Sequence, residues 1–291
     1  MDLEFWAELR MPAIQKRRPI RLAPREARPS ISLPMKRFPI LLLFSLLIAS
    51  AFAGQADSAK TASLRFPIPP TDDGLPGAGP LRRADWFQKV WSERRTLFSE
   101  HARQDQRALV FLGDSITQKW GMNLGGCFTG IKTANRGISG DTSRGVLFRL
   151  REDVLLLHPA GIVLLVGTND IADKASPETI AGNVRLILDA LRLADPKMPV
   201  ALCEVLPSSA SKDRPAETIR QLNALYAGLV KDYPQATLVA TWAVFANPAG
   251  DAKSEEFPDL LHPNEAGYAK WAAALRPVLA KMGFAPAPST P

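Results

Sequence analysis

Short runs of apolar residues punctuate the chain at 108–112, 162–166, 200–206 and 237–240, with a weaker candidate at 132–135. Between them apolar positions return at helical spacing: Leu147, Leu150, Val154 and Leu157, then Ile180, Val184, Ile187, Leu188 and Leu191, then Ile219, Leu222, Leu225 and Leu229. A last helix is expected after Pro263, with Tyr268, Trp271, Ala272, Leu275 and Leu279 on one face. Another is expected over 81–106, where Trp86, Val90, Trp91, Leu97 and Phe98 stand among charges. Strands that are apolar throughout are buried on both faces, and amphipathic helices between them are what a parallel sheet needs for its crossovers. The pattern predicts an α/β fold, a three-layer α/β/α sandwich on a parallel sheet of about five strands. No period of solenoid length and no second core is visible.

The front of the chain is of another kind. Residues 1–53 carry a net charge of +5, which leaves only +2 of the total +7 for the rest. The basic balance therefore belongs to the leader and indicates no nucleic-acid partner for the folded part. From Met35 the order is Lys36, Arg37, an apolar run over 38–49, then Ser50-Ala51-Phe52-Ala53. That is a positive region, a short apolar region and a small-residue cleavage site, so 35–53 reads as a signal peptide cut after Ala53, with export to the periplasm or beyond. The run is too short for a spanning anchor, and no stable membrane attachment is expected after cleavage. Residues 1–34 then read as a start assigned too early or a leader, 54–80 as a Pro- and Gly-rich extended lead-in, 81–284 as the single folded domain and 285–291 as a tail. Two cysteines, Cys127 and Cys203, do not make a disulfide scaffold. Cys203 lies in an apolar run where a buried free thiol is the ordinary state.

In parallel α/β sheets ligands bind beyond the carboxyl ends of the strands, so the chemistry should follow the apolar runs directly. Three segments do: Gly113-Asp114-Ser115-Ile116-Thr117, Gly137-Ile138-Ser139-Gly140-Asp141-Thr142 and Gly167-Thr168-Asn169-Asp170. A fourth, Asp259-Leu260-Leu261-His262, precedes the last helix. A serine hydroxyl attacks only when a base takes its proton, and the base must be held in one tautomer by a third group. Ser115, His262 and Asp259 supply that set. Thr117 breaks the G-x-S-x-G elbow of ordinary lipases. Taken singly, Ser115 reads as a helix N-cap and His262 and Asp259 as loop residues. Together they make a nucleophile, a base and an orienting carboxylate.

With all four blocks in order from about residue 107 to 279, the chain resembles the GDSL or SGNH hydrolase superfamily. It is similar within it to the branch of the platelet-activating-factor acetylhydrolase catalytic subunits and exported bacterial carbohydrate esterases. The resemblance implies Ser115 as nucleophile, His262 as general base and acid, Asp259 as its partner, and an oxyanion hole made by the Ser115 and Gly140 amides and the Asn169 side chain. No cofactor or metal is implied. It points to a serine esterase removing short acyl groups, acetyl above all, from an acetylated small molecule or polysaccharide. The rivals are a phospholipid or lysophospholipid acylhydrolase and, in another class, an inactive glycan-binding module on the same fold.

Other residues receive plainer readings. Asp114, Asp141 and Asp170 are expected to brace loops by bonding to backbone, outside the catalytic set. His101 and His158 fit as helix-end residues, and three histidines without paired spacing argue against zinc. Asn135 and Arg136 precede the second block, and Arg144, just after it, reads as a helix-surface charge. Trp120, Met122, Phe128, Trp242, Phe245 and Phe257 are candidates for pocket walls, and for each of them core packing is at least as good a reading.

Overall fold

A computed structural model describes residues 65–284. Residues 1–34, the segment 35–53 expected to be a signal peptide, the first part of the expected lead-in and residues 285–291 lie outside the described residues. Five parallel strands, β1 (Leu109–Gly113), β2 (Thr133–Gly137), β3 (Gly161–Leu165), β4 (Val200–Cys203) and β5 (Ala236–Val239), form one sheet in the order β2-β1-β3-β4-β5. The chain leaves β1 for one edge and returns across it to β3, so the crevice at the switch point opens beyond the ends of β1 and β3.

Alternate residues of each strand serve opposite layers, as a pleated strand requires. Val110, Leu112, Ile162, Leu164, Val200 and Leu202 pack under α3 (Ser143–Asp153), α5 (Pro177–Ala194) and α6 (Ala216–Leu229). Leu109, Phe111, Val163, Leu165, Ala201 and Cys203 pack under α2 (Ser115–Lys119), α7 (Thr241–Phe245) and α8 (Glu265–Lys281). The sandwich and its strand number match the expectation from the apolar pattern.

Three boundaries differ, each for a physical reason. β2 reads Thr-Ala-Asn-Arg-Gly and is still buried over its last four residues. Its Arg136 is fully buried, paired with Asp105 at 2.8 Å and bonded to the Asp153 carbonyl, so a charge occupies a core position that hydropathy alone rejects. β4 ends at Cys203 although the apolar run continues, because the Asn223 side chain accepts from the Val205 amide and donates to its carbonyl in place of a neighbouring strand. The first helix, α1, spans Asp85–His101 only. Residues 65–84 form no helix or strand and turn at residues 72–75, so the lead-in is not extended as expected, and Ile68 and Leu81 are buried against Phe87, Trp91, Phe98 and Ile138.

Arg144 is corrected from surface to anchor. Its side chain is 7% exposed and donates to the Pro76 and Gly79 carbonyls and to Asp72, so it ties the lead-in to α3. Asn183 adds a two-way bond with the backbone of residue 78. Both cysteines are free, Cys203 fully buried. The short α4 (Thr168–Ala172) completes the described helices and carries the third block. Among the described residues no helix is long and apolar enough to cross a membrane.

Candidate active site

The position of Ser115 is set by a tight strand-to-helix turn. Gly113 ends β1 where a β-carbon would come 2.2 Å from the Leu165 carbonyl oxygen and 2.6 Å from Thr117 Oγ1, so only glycine fits beside β3. Asp114, not Ser115, caps the helix: its Oδ1 accepts from the Ile116 amide at 2.9 Å. The Ser115 hydroxyl is thereby released from capping and faces His262, with Oγ 2.9 Å from Nε2.

His262 is fixed from its other side. Asp259 Oδ2 lies 2.6 Å from Nδ1, while Oδ1 accepts from the backbone amides of His262 (2.7 Å) and Leu261 (3.1 Å). One carboxylate thus closes the loop and orients the ring, a local solution that three-residue spacing permits. Leu260 takes a left-handed φ of 59° inside this turn, and its carbonyl accepts from the Ser208 hydroxyl. Asn264 caps α8, and Tyr268, one turn on, donates to the Ile116 carbonyl at 2.8 Å, locking the His262 end of the chain to the Ser115 helix.

Charges follow the same geometry. Partial burial pushes the Asp259 carboxyl upward, but hydrogen bonds from the His262 ring and backbone and the imidazole charge outweigh it and hold the group at about 2. Burial lowers His262 below its ordinary value, against the raising effect of Asp259 and with Lys119 and Arg214 adding to the lowering. The neutral ring with Nδ1 protonated and Nε2 bare is the form this arrangement favours.

The oxyanion candidates converge on the same rim. No described residue accepts from the Ser115 or Gly140 amide. Gly140 adopts φ 86°, and the Asp141 carbonyl that follows accepts from Asn169 Nδ2 at 2.9 Å, leaving the second Nδ2 hydrogen over. Arg214 was not singled out from the sequence, yet it fixes this amide. Its Nη2 donates to Asn169 Oδ1 at 3.2 Å and its Nε to Thr168 Oγ1 at 2.9 Å, so the Asn169 amide cannot flip. Arg214 lies in the loop between β4 and α6, on the carboxyl side of the sheet where ligand-binding loops gather, and that place was its one sequence signal.

The three loop aspartates brace backbone. Asp141 bonds the Thr142 amide and Arg149, and Asp170 bonds the Ser143 amide and hydroxyl. All three are fully buried. Desolvation, opposed by these bonds, pushes Asp114 up to about 7 and Asp141 and Asp170 to about 6. Of the aromatics, Trp120, Phe128, Phe245 and Phe257 belong to the core under α8, with Trp120 stacked 4.6 Å from Trp271. Trp242 is partly buried against the opposite core, and Met122 contacts Arg94. His101 ends α1 and His158 follows the turn after α3 in a left-handed conformation.

A serine hydroxyl in reach of a histidine that a carboxylate aligns, with backbone amides at Ser115 and Gly140 unpaired among the described residues, is a set that can serve acyl transfer to serine. The model of the GDSL-like Lipase/Acylhydrolase family matches residues 111–270, which include all four blocks. Rat platelet-activating factor acetylhydrolase IB subunit alpha1 is 26% identical over 218 residues, covering 71% of this chain and 91% of that protein. Among solved structures, one from Streptococcus pneumonia, assigned as a platelet activating factor protein, superimposes with a TM-score of 0.61 at 26% identity, covering 67% of this chain and 95% of the other. A GDSL-like lipase from Bacteroides thetaiotaomicron gives 0.55 at 25% identity, covering 63% and 97%. By fold, site and likeness the chain belongs to the GDSL-like lipase/acylhydrolase family and is a carboxylic ester hydrolase.

Proposed function

We propose that this esterase hydrolyses short-chain esters, acetyl esters of carbohydrates above all, through an acyl-serine intermediate, and that it does so outside the cytoplasm. The observation that carries the mechanism is the unbroken relay from Asp259 Oδ2 through His262 to Ser115 Oγ, with contacts of 2.6 and 2.9 Å. Ser115 Oγ attacks the ester carbonyl as His262 Nε2 takes its proton. The oxyanion is received by the Ser115 and Gly140 amides and Asn169 Nδ2, donors that contribute about 3 kcal/mol each in such sites. The protonated imidazole, steadied by Asp259, hands its proton to the departing alcohol. Water then attacks the acyl-serine with His262 as base, and Ser115 is restored. The acetyl preference is supported by the relatives, which are acetylhydrolases by name. The extracytoplasmic setting is supported by the leader pattern at 35–53, outside the described residues.

A fluorophosphonate probe tests the assignment directly. A single adduct on Ser115, blocked by prior acetyl-ester turnover inhibitors, is expected. A well-folded protein that stays unlabelled would defeat it, and the glycan-binding module would stand instead.

The pH profile follows from the same relay. Protonated His262 cannot accept the Ser115 proton, so kcat/KM must fall as pH drops through the His262 titration. Burial places that titration below the ordinary 6.5. The acid limb of kcat/KM on an acetyl ester is expected to have its midpoint below 6.5, with activity flat above it to neutral pH. A midpoint above 7 would mean a different base.

A further inference from the structure

Beside the amide of Gly140 stands a feature that the four blocks do not contain and that lies ahead of the family match. Trp86, in the first turn of α1, is 53% exposed although it is one of the largest apolar side chains. A β-carbon on Gly140 would lie 2.6 Å from the edge of its indole and 3.1 Å from Arg82 Nη1. The indole and the guanidinium therefore pack against Gly140, the expected oxyanion donor. Phe87 meets the Trp86 ring edge-on with centroids 5.6 Å apart. Arg82 is fixed by a two-pronged pair with Asp173 at the end of α4, using Nε (2.7 Å) and Nη2 (2.8 Å). Its Nη1 has no partner among the described residues and lies, like the indole edge, beside Gly140.

A tryptophan that only shielded Gly140 would bury its ring, and this one leaves about half of its surface open beside that glycine. We propose that Trp86 and Arg82 form the subsite for the alcohol half of the substrate, a neutral sugar ring. Its C–H face stacks on the indole while Arg82 Nη1 donates to a ring or hydroxyl oxygen. This deepens the carbohydrate-ester reading given above and rests on it. The free guanidinium donor favours a sugar over a quaternary ammonium group. Such a cation binds an open aromatic face but accepts no hydrogen bond, whereas the Arg82 guanidinium, paired with Asp173 and 6.0 Å from the indole centroid, keeps Nη1 as a donor that a sugar oxygen can use and a trimethylammonium group cannot. The C–H groups of a sugar carry slight positive charge that suits the ring face without net repulsion.

The test compares kcat/KM for a monoacetylated methyl xyloside with that for ethyl acetate, which has no ring to stack, in the full chain and in Trp86→Ala, Trp86→Phe and Arg82→Met. Thermal melting checks that each variant is folded, and fluorophosphonate labelling checks Ser115. The wild type is expected to favour the sugar ester. Trp86→Ala is expected to reduce that preference about tenfold, or about 1.4 kcal/mol, Trp86→Phe to restore part of it, and Arg82→Met to reduce it as well. A preference untouched by Trp86→Ala, or a wild type with no preference for the sugar ester, overturns the subsite. A larger preference for an acetylated lysophosphatidylcholine that Trp86→Ala abolishes also overturns it, in favour of a headgroup site. Absence of the Ser115 adduct, in contrast, would bring down the hydrolase assignment itself.

Discussion

Replacing Ser115 with alanine is expected to lower kcat on acetyl esters by about 10⁴- to 10⁶-fold while leaving the fold within about 1 kcal/mol of wild type. The two halves of that expectation have separate grounds. On the proposed mechanism the loss is large because the three relay groups act as a unit, and the base and oxyanion donors that remain accelerate only what water can do unaided. The stability cost is small because capping of α2 rests with Asp114, whose Oδ1 holds the Ile116 amide. Alanine is also the strongest helix former at the position vacated. The bond lost is the one from Ser115 Oγ to His262 Nε2. The His262 side chain is 17% exposed, so a water can take the place of the hydroxyl. Steady-state kinetics and a thermal melt on the same preparation read both halves. A residual rate within tenfold of wild type would show that another group attacks, and a collapse in melting temperature would show that Ser115 supports the fold.

The positions legible in the sequence share a property: their chemistry and their local backbone role are written in adjacent residues. Ser115, Gly140 and Asn169 each follow a strand by a few residues, and Asp259 and His262 share one turn. The fold was legible where strands are apolar throughout, and least so at β2, whose Asn135 and Arg136 are buried by partners distant in sequence. Arg144 and Arg214 escaped for the same reason. A guanidinium in a sequence reads as exterior, because only spatial partners reveal that its desolvation is offset. Trp86 escaped for the converse reason: an aromatic at helical spacing reads as core, and only the coordinates show its face open beside Gly140.

Arg149 is where this hidden charge matters most for the site, and its removal is the second large effect expected. The guanidinium is fully buried and pairs with the equally buried Asp141 at 2.8 Å. Its Nη2 also donates to the carbonyls of Gly113 (3.1 Å) and Arg136 (2.8 Å), so one side chain joins the ends of β1 and β2 to the second block. Arg149→Met preserves the apolar stem but leaves Asp141 as a buried charge without its counterion, for which a loss of about 3 to 5 kcal/mol is the ordinary scale. The loss must depend on pH. Asp141 is already raised to about 6 by burial in spite of Arg149, and without that charge its titration moves higher still. A carboxyl raised in the folded state favours folding below its unfolded value of about 4, and that contribution is lost as pH rises through the folded value. Arg149→Met should therefore be more damaging at pH 8 than at pH 5 when followed by denaturant unfolding. Adding Asp141→Asn should recover part of the loss at pH 8, because it removes the stranded charge. Equal destabilisation at both pH values, with no recovery in the double variant, would mean that the carbonyl bonds of Arg149 and not its charge hold the two strand ends in place beneath Ser115 and Gly140.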